Sequence, residues 1–261
     1  MLFDAWLDSP LWVICAVLVT AYATLAYLLH RLSFKTPGRA SVATLAGVSP
    51  SMFGTVGVLF ALMTSFLAND IWDAQRRAVR AVQMERDTVS AVWTLSGPDR
   101  PPPQDNGVRL ALREYVFAVV DDEWPRMAEE RASERADTAL AGLLRNAAAS
   151  RFATQSGPVI QTAMLRLVQD LRAARAERLS LSAGNYDGAK WATVLVLAGM
   201  VQISLAVCHL DRPRAQATAL WLFTASAVLV LTLLAVRERP FHGVYAIRDT
   251  SIRTLLTTLQ P

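Results

Sequence analysis

Hydrophobic residues in this chain are gathered into four long blocks, which lie at residues 11–29, 48–68, 191–209 and 215–236. Each block has about 20 residues, the length that an α-helix needs to cross the hydrocarbon of a bilayer. None of the four contains Asp, Glu, Lys or Arg, whose burial in lipid is costly. No alternation of polar and apolar residues indicates a strand. The pattern therefore predicts an all-α integral membrane protein with four transmembrane helices.

The residues between the second and third blocks are polar enough to form a soluble helical insert. The second helix is expected to continue beyond the membrane as far as Ser96-Gly97-Pro98, because apolar residues keep a helical spacing up to Trp93. Further helices are predicted from about residue 108, over 134–150, and from Pro158. The predicted organisation is an N-terminal transmembrane pair (1–68), the insert (69–188), a C-terminal transmembrane pair (189–236) and a tail (237–261).

One face of the second span carries polar residues at both ends and apolar residues at its centre. Such a face suits a narrow ion pathway that is gated by dewetting, and ordinary packing between helices is the alternative explanation. The candidate pore-lining residues are Ser51, Thr55, Val58, Leu62, Ser65 and Asn69.

Another side of the same span carries only small residues. In lipid, small side chains let two helix backbones approach closely. We therefore expect a helix-packing stripe here, which would make the second span the tightly packed helix of the bundle. The stripe consists of Gly54, Gly57, Ala61, Thr64 and Ala68.

Charge and motifs exclude several functions. The net charge of +4 and the isoelectric point near 9.4 do not indicate nucleic-acid binding, because basic residues are interleaved with acidic ones. The sequence has no phosphate-binding loop, paired-cysteine motif or nucleophile elbow, so no enzyme, cofactor or metal is predicted. The run Asp121-Asp122-Glu123 is expected to form a solvated face; a cation site is the alternative if Pro125 bends the helix.

Four motifs lie in and after the second span. They are Phe66-Leu67-Ala68-Asn69-Asp70-Ile71-Trp72, Tyr115 with Glu123-Trp124-Pro125, Arg175-Ala176-Glu177-Arg178-Leu179, and Arg239-Pro240-Phe241-His242-Gly243. Together they make the chain, from about residue 48, resemble the bacterial bestrophin-like membrane family. The clustered calcium-binding acids of animal bestrophins have no counterpart in this sequence.

This resemblance implies a homo-oligomeric ion channel in which the second span lines a central pore. The expected partners are the lipid bilayer, further copies of the chain and small inorganic ions, with anions such as chloride preferred. The competing hypothesis is a non-conducting membrane scaffold or sensor whose helical insert binds a protein partner. A symmetric ring would favour conduction, because four uncharged spans leave no pathway inside one subunit.

Orientation in the membrane is predicted from the charges at the span ends. Arginines follow the second and fourth spans and precede the third, and positively charged flanks favour the cytoplasm. The short connection with Arg31, Lys35 and Arg39 points the other way. Combining the arginine count with the family resemblance, we expect a multi-pass protein of the bacterial inner membrane whose insert and two termini are cytoplasmic.

Overall fold

The computed structural model describes residues 6, 7, 9–34, 50–97, 107–184, 187–243 and 245–259, apart from the side chains at positions 50–52 and 155. Helices account for nearly all of these residues, and no strand forms among them, which confirms the all-α fold class. The helices are α1 (Leu11–Phe34), α2 (Pro50–Leu95), α3 (Gly107–Ala118), a π-helical turn (Val119–Glu123), α4 (Trp124–Met127), α5 (Glu134–Ala148), α6 (Ser150–Ser156), α7 (Pro158–Ser182), α8 (Gly188–Cys208), α9 (Pro213–Arg237), α10 (Thr250–Arg253) and α11 (Leu255–Thr258).

Among the described residues, four helices are long and apolar enough to cross a membrane: α1, α2, α8 and α9. Their limits follow local sequence signals. Proline stands in the first turn of α2 and of α9, where its missing N–H is not needed. Asp187 caps α8 by accepting hydrogen bonds from the backbone N–H groups of Ala189 and Lys190. Gly97 follows the end of α2 with a φ of +66°, a conformation that favours glycine.

The chain divides into two compact units. The membrane unit comprises Met1–Asp73 and Tyr186–Glu238, and the helical unit comprises Ala74–Asn185 and Arg239–Pro261. The long helix α2 contributes to both units, as the unbroken helical spacing up to Trp93 predicted. From Arg239 onward, the chain groups with the helical unit.

In the membrane unit, α9 packs along α1 and against α8, and α8 also contacts α1. Buried polar side chains add hydrogen bonds within this apolar bundle. The amide Nε2 of Gln202 donates to the Tyr22 carbonyl at 3.2 Å and to Thr224 Oγ1 at 2.7 Å, while Gln216 Nε2 donates to the Ala206 carbonyl at 2.7 Å. Such bonds between spans stabilise helix packing in lipid, where the alternative is an unsatisfied polar group.

In the helical unit, α5 packs along α3 and against α7, and α11 contacts α3. The centre of this unit contains the fully buried side chains of Leu112, Tyr115, Leu143 and Leu171. Ile252, which is 1% exposed, joins the same core from the segment after α9. The helical unit is therefore closed by the C-terminal part of the chain.

Candidate pore-lining face and a buried charge cluster

The first candidate site is a face of α2 in the membrane unit, here called the open face, formed by Thr55, Val58, Leu62, Ser65 and Asn69. All five residues are exposed in the single chain, with Val58 59% and Leu62 49% exposed. Ser51, the sixth candidate, lies in the first turn of α2, and its side chain is outside the described part. The face that the sequence indicates as pore-lining is thus not covered by the subunit's own helices.

The apolar centre of this surface is wider than the sequence indicated. Leu59 is 47% exposed and Phe66 is 60% exposed, although neither residue was among the candidates. Helical periodicity selects one narrow line of residues. In the membrane unit, other helices of the chain bury one side of α2, so the exposed surface is broader than that line. Val56, Leu67 and Ile71 form that covered side.

At the end of the open face, polar groups replace the apolar ones. Ser65 Oγ donates to the Ala61 carbonyl one turn earlier at 2.7 Å, so its hydroxyl proton is used within the helix. Next to Asn69, Asp70 accepts a hydrogen bond from Lys190 Nζ at 2.6 Å, and both side chains are about half exposed. The first acidic residue after the span is therefore paired with a cation.

The small-residue stripe is not in close contact with another helix of the same chain. A Cβ added at Gly54 or at Gly57 would meet no heavy atom within 4 Å, and Ala61 is exposed. Thr64 and Ala68 are half-buried. The close packing expected within the bundle is thus absent at the two glycines, because α1, α8 and α9 pack mainly with one another. A contact between this stripe and a second copy of the chain remains a prediction.

Gly57→Leu or Ala61→Leu is expected to impair assembly of the full chain while leaving the single subunit folded. The subunit has room for the larger side chain, but a neighbouring helix that packs on the stripe does not, and overpacking costs about 1–3 kcal/mol. Particle size in mild detergent, measured by light scattering with size-exclusion chromatography, checks this result. Variants that keep the native particle size and thermal stability would show that the stripe faces lipid.

The second candidate site is a buried charge cluster in the helical unit, formed by Glu85, Tyr115, Glu123, Arg175 and Arg178. Arg178 donates from Nε to Glu85 Oε2 at 2.6 Å and from Nη2 to Glu85 Oε1 at 3.0 Å. The same Nη2 donates to Glu123 Oε1 at 2.6 Å. Tyr115 donates its hydroxyl proton to Glu85 Oε1 at 2.5 Å. The side chains of Arg178, Glu85 and Glu123 are 0% exposed.

Arg175 completes the cluster one helical turn before Arg178. Its Nε donates to both carboxylate oxygens of Glu123, at 3.1 and 3.0 Å, and its Nη2 forms an ion pair with the same carboxylate. Its Nη1 donates to Asp137 Oδ1 at 2.5 Å. A spacing of three residues places both arginines on one face of α7, so they reach the same carboxylate.

The backbone before Pro125 is wound more widely than an α-helix. The N–H of Trp124 bonds to the carbonyl of Val119, five residues earlier, in the π-helical turn. Pro125 has no N–H to bond the Asp121 carbonyl, so the regular ladder cannot continue through this point. Glu123 lies at the end of this turn and is directed into the cluster.

The sequence-based interpretation of the acidic run as a solvated face is wrong for one of its three residues. Asp121 is exposed, and Asp122 is half-buried and bonds to Arg126 at 3.0 Å. Glu123 is fully buried between two arginines. Adjacent residues point in different directions, and the run therefore faces solvent and core at once. No group of three metal-binding side chains comes together in the described part of the chain.

Burial and ion pairing together set the protonation of the cluster. Burial acts to raise the pKa of Glu123, but hydrogen bonds from Arg175 and the charges of both arginines hold that pKa below its ordinary value. Burial, followed by the charge of Glu85, raises the pKa of Tyr115 well above its ordinary value. Glu123 is therefore ionised between two guanidinium groups, and Tyr115 keeps a neutral hydroxyl. Both arginines are paired with buried acids, so the cluster links α2, α3 and α7 by ion pairs and hydrogen bonds.

Aromatic contacts extend from the cluster to the C-terminal segment. The guanidinium of Arg178 lies over the Trp124 ring at 5.2 Å, and Phe241 meets Trp124 edge to face at 6.0 Å. Arg239 bonds to Glu130 at 3.2 Å. The helical unit thus brings together residues from three of the sequence motifs. They are Tyr115, Glu123, Trp124, Arg175, Arg178, Arg239 and Phe241. Other motif residues lie outside this contact set, among them Trp72, Pro125, Pro240 and Gly243.

Glu85 is the member of the cluster that the sequence analysis missed. It lies on α2 between Val82 and Val89, at the spacing of residues that share a helical face. Val82 is 2% exposed and Val89 is 0% exposed, so this face is the buried one. A single acid in an otherwise apolar helical line is a signal for a buried partner of opposite charge. The sequence contains that signal but does not identify the partner.

Comparison with known proteins connects these features to a family. The model of the Bestrophin-like domain matches residues 20–252. A comparison with curated proteins found no significant match. The family that the sequence motifs indicated is therefore confirmed by an independent comparison.

Solved structures of a bacterial bestrophin homologue from Klebsiella pneumoniae share the fold. One, with a leucine-to-threonine substitution, has a TM-score of 0.69 at 13% identity over 92% of this chain and 97% of that chain. Another, with an aspartate-to-alanine substitution, has a TM-score of 0.71 at 10% identity over 94% and 97%. A third, solved by zinc anomalous phasing, has a TM-score of 0.68 at 11% identity over 94% and 96%. At these identities the likeness shows the fold alone.

Proposed function

The chain belongs to the Bestrophin-like family, and from this premise we propose that it forms a homo-oligomeric channel for small ions, with anions such as chloride preferred. The pathway lies on the symmetry axis between subunits and is lined by the open face of α2. The helical unit and both termini lie in the cytoplasm. The protein's partners in this proposal are the inner-membrane lipids, further copies of itself and the permeant ions.

The observation that carries the proposal is the exposure of the open face in a single subunit. Val58 and Leu62 are about half exposed, on a span whose opposite side is covered by the membrane unit's own core. The neighbouring glycines leave room for the helix of another subunit. Apolar side chains around an axis make a constriction that conducts only when it is wetted. Thr55 and Asn69 supply polar groups on either side of it.

The anion preference rests on the charges along α2. From Phe53 to Asn69 the helix has no Asp or Glu, so no ring of carboxylates favours cations. The next acid, Asp70, is paired with Lys190 at 2.6 Å. Pro50 opens the helix, and the unpaired N–H groups of a helix start attract anions.

Reversal potentials in planar bilayers test this proposal. With the purified full chain and a potassium chloride gradient, we expect a reversal potential of the sign set by chloride. A potential set by potassium would reject the anion preference. The oligomer must be verified by light scattering in the same preparation, because only then is the absence of current informative.

The second candidate function is a non-conducting scaffold or sensor whose helical unit binds another protein. It is favoured by apolar side chains at the surface of that unit, where Leu110 is 68% exposed and Val159 is 80% exposed. A verified oligomer that passes no current would support this second function instead of the channel.

A further inference from the structure

An apolar groove of about 440 Å³ lies between α1 and α8 in the membrane unit. Its floor includes Leu18 and Tyr22, which are 3% and 6% exposed, while Val17 and Val196 at its rim are 47% and 62% exposed. Gly199 lines the groove where α8 passes α1, and a Cβ there would be in ordinary contact with Leu25 Cδ2 at 3.5 Å. The groove is therefore open to the surrounding medium and has a closed floor.

The medium at this depth is lipid. One end of the groove is at Trp6, whose ring meets Trp191 edge to face at 5.7 Å. The indole N–H of Trp191 donates to Glu238, the residue that follows α9, so this end lies where the spans end. From Val17 to Leu25 the groove follows α1 for about 12 Å, at a rise of about 1.5 Å per residue. It thus runs from the membrane interface towards the middle of the bilayer.

The chemistry of the lining selects an aliphatic occupant. The Tyr22 hydroxyl donates a hydrogen bond to the Leu195 carbonyl at 2.9 Å. The groove is therefore lined by the ring of this tyrosine and not by a free polar group. Trp6, an aromatic side chain with a polar N–H, is typical of the level of lipid headgroups. We propose that the groove holds one acyl chain of a membrane phospholipid, with its headgroup at the level of Trp6.

The shape of the groove favours a lipid chain over a second copy of this protein. A volume of about 440 Å³ lies within the range of roughly 300–1,000 Å³ that is typical of sites for one small ligand. Contacts between helices in lipid use small residues along a continuous stripe, which this chain presents on α2. The proposal depends on the membrane location of α1 and α8 and not on conduction.

Photo-crosslinking tests the proposal on the full chain in lipid nanodiscs. The probe is a phosphatidylcholine with a diazirine in the middle of one acyl chain, and the labelled peptides are mapped by mass spectrometry. We expect labelling of residues 17–25 and 195–199 to exceed labelling around Leu222 and Leu229 several-fold. Those two residues are 68% and 72% exposed on α9 and report contact with bulk lipid.

A variant with larger side chains in the groove tests the same proposal, and a matched variant on α9 is its control. Ala21→Phe combined with Val196→Phe adds volume at exposed rim positions and is expected to remove the excess labelling; Leu222→Phe with Leu229→Phe is expected to leave it unchanged. Equal labelling of the groove and of α9 would show that the groove contacts bulk lipid and holds no bound acyl chain. Labelling of α9 without the groove would show that protein covers it. Either result, or an excess that survives filling, overturns the proposal. If the filled variant does not fold, the comparison within the native chain still decides.

Discussion

Arg178→Met is expected to destabilise the helical unit by about 3–5 kcal/mol, the typical cost of removing one partner from a buried ion pair. The methionine fills a similar volume, but among the residues that the structure describes it leaves the fully buried Glu85 with the Tyr115 hydroxyl as its one side-chain partner. Glu123 still forms its ion pair with Arg175 in this variant, so the loss of stability comes mainly from the unpaired charge of Glu85. Hydrogen exchange measured by mass spectrometry checks this, since it separates peptides of α3 and α7 from those of the spans.

The control is Arg172→Met on the same helix, where the arginine is exposed and its replacement is expected to change exchange little. The double variant Glu85→Gln with Arg178→Met removes the uncompensated carboxylate. It is therefore expected to be more stable than Arg178→Met alone, although one hydrogen-bond network is lost. Native exchange rates in α3 and α7 of Arg178→Met would contradict the assignment of Arg178 as the centre of the cluster.

Leu62→Ser is expected to raise chloride flux through the reconstituted protein several-fold. Leu62 stands in the apolar centre of the open face, and in a symmetric assembly the hydroxyls of all subunits would surround the axis together. Water then enters the constriction more readily, and an ion that keeps part of its hydration shell crosses it at lower cost. Efflux of chloride from loaded liposomes at a fixed protein-to-lipid ratio measures the change.

Leu222→Ser makes the same chemical change on α9, at a side chain that is 68% exposed and is expected to face lipid. Flux through this variant is expected to equal that of the native protein. A higher flux for both variants would indicate a general leak caused by polar groups in the membrane. An unchanged flux for Leu62→Ser in a verified oligomer would remove the open face of α2 from the pathway.

Several features of this protein follow from the amino-acid sequence alone. An uncharged block as long as residues 215–236 can be stable in a bilayer only as a helix, because lipid cannot satisfy free backbone groups. The observed helix Pro213–Arg237 accordingly differs from that block by two residues or fewer at each end. The continuation of α2 past Trp72 and the start of α7 at Pro158 were likewise determined by nearby residues. Family membership could also be identified, because most of its motifs are short runs of adjacent residues.

The partners of the buried charges were decided only by the tertiary structure. Glu85 and Arg178 are 93 residues apart in the chain, and no local pattern indicates which of many arginines lies opposite a given acid. Glu123 resembled a surface acid because its neighbours Asp121 and Asp122 are acidic, and a π-helical turn directs it into the core. Local residues determine a helix, since its hydrogen bonds span four positions. The partner of a buried ion depends on how separate helices pack, and the free energy of that packing is distributed over the whole unit.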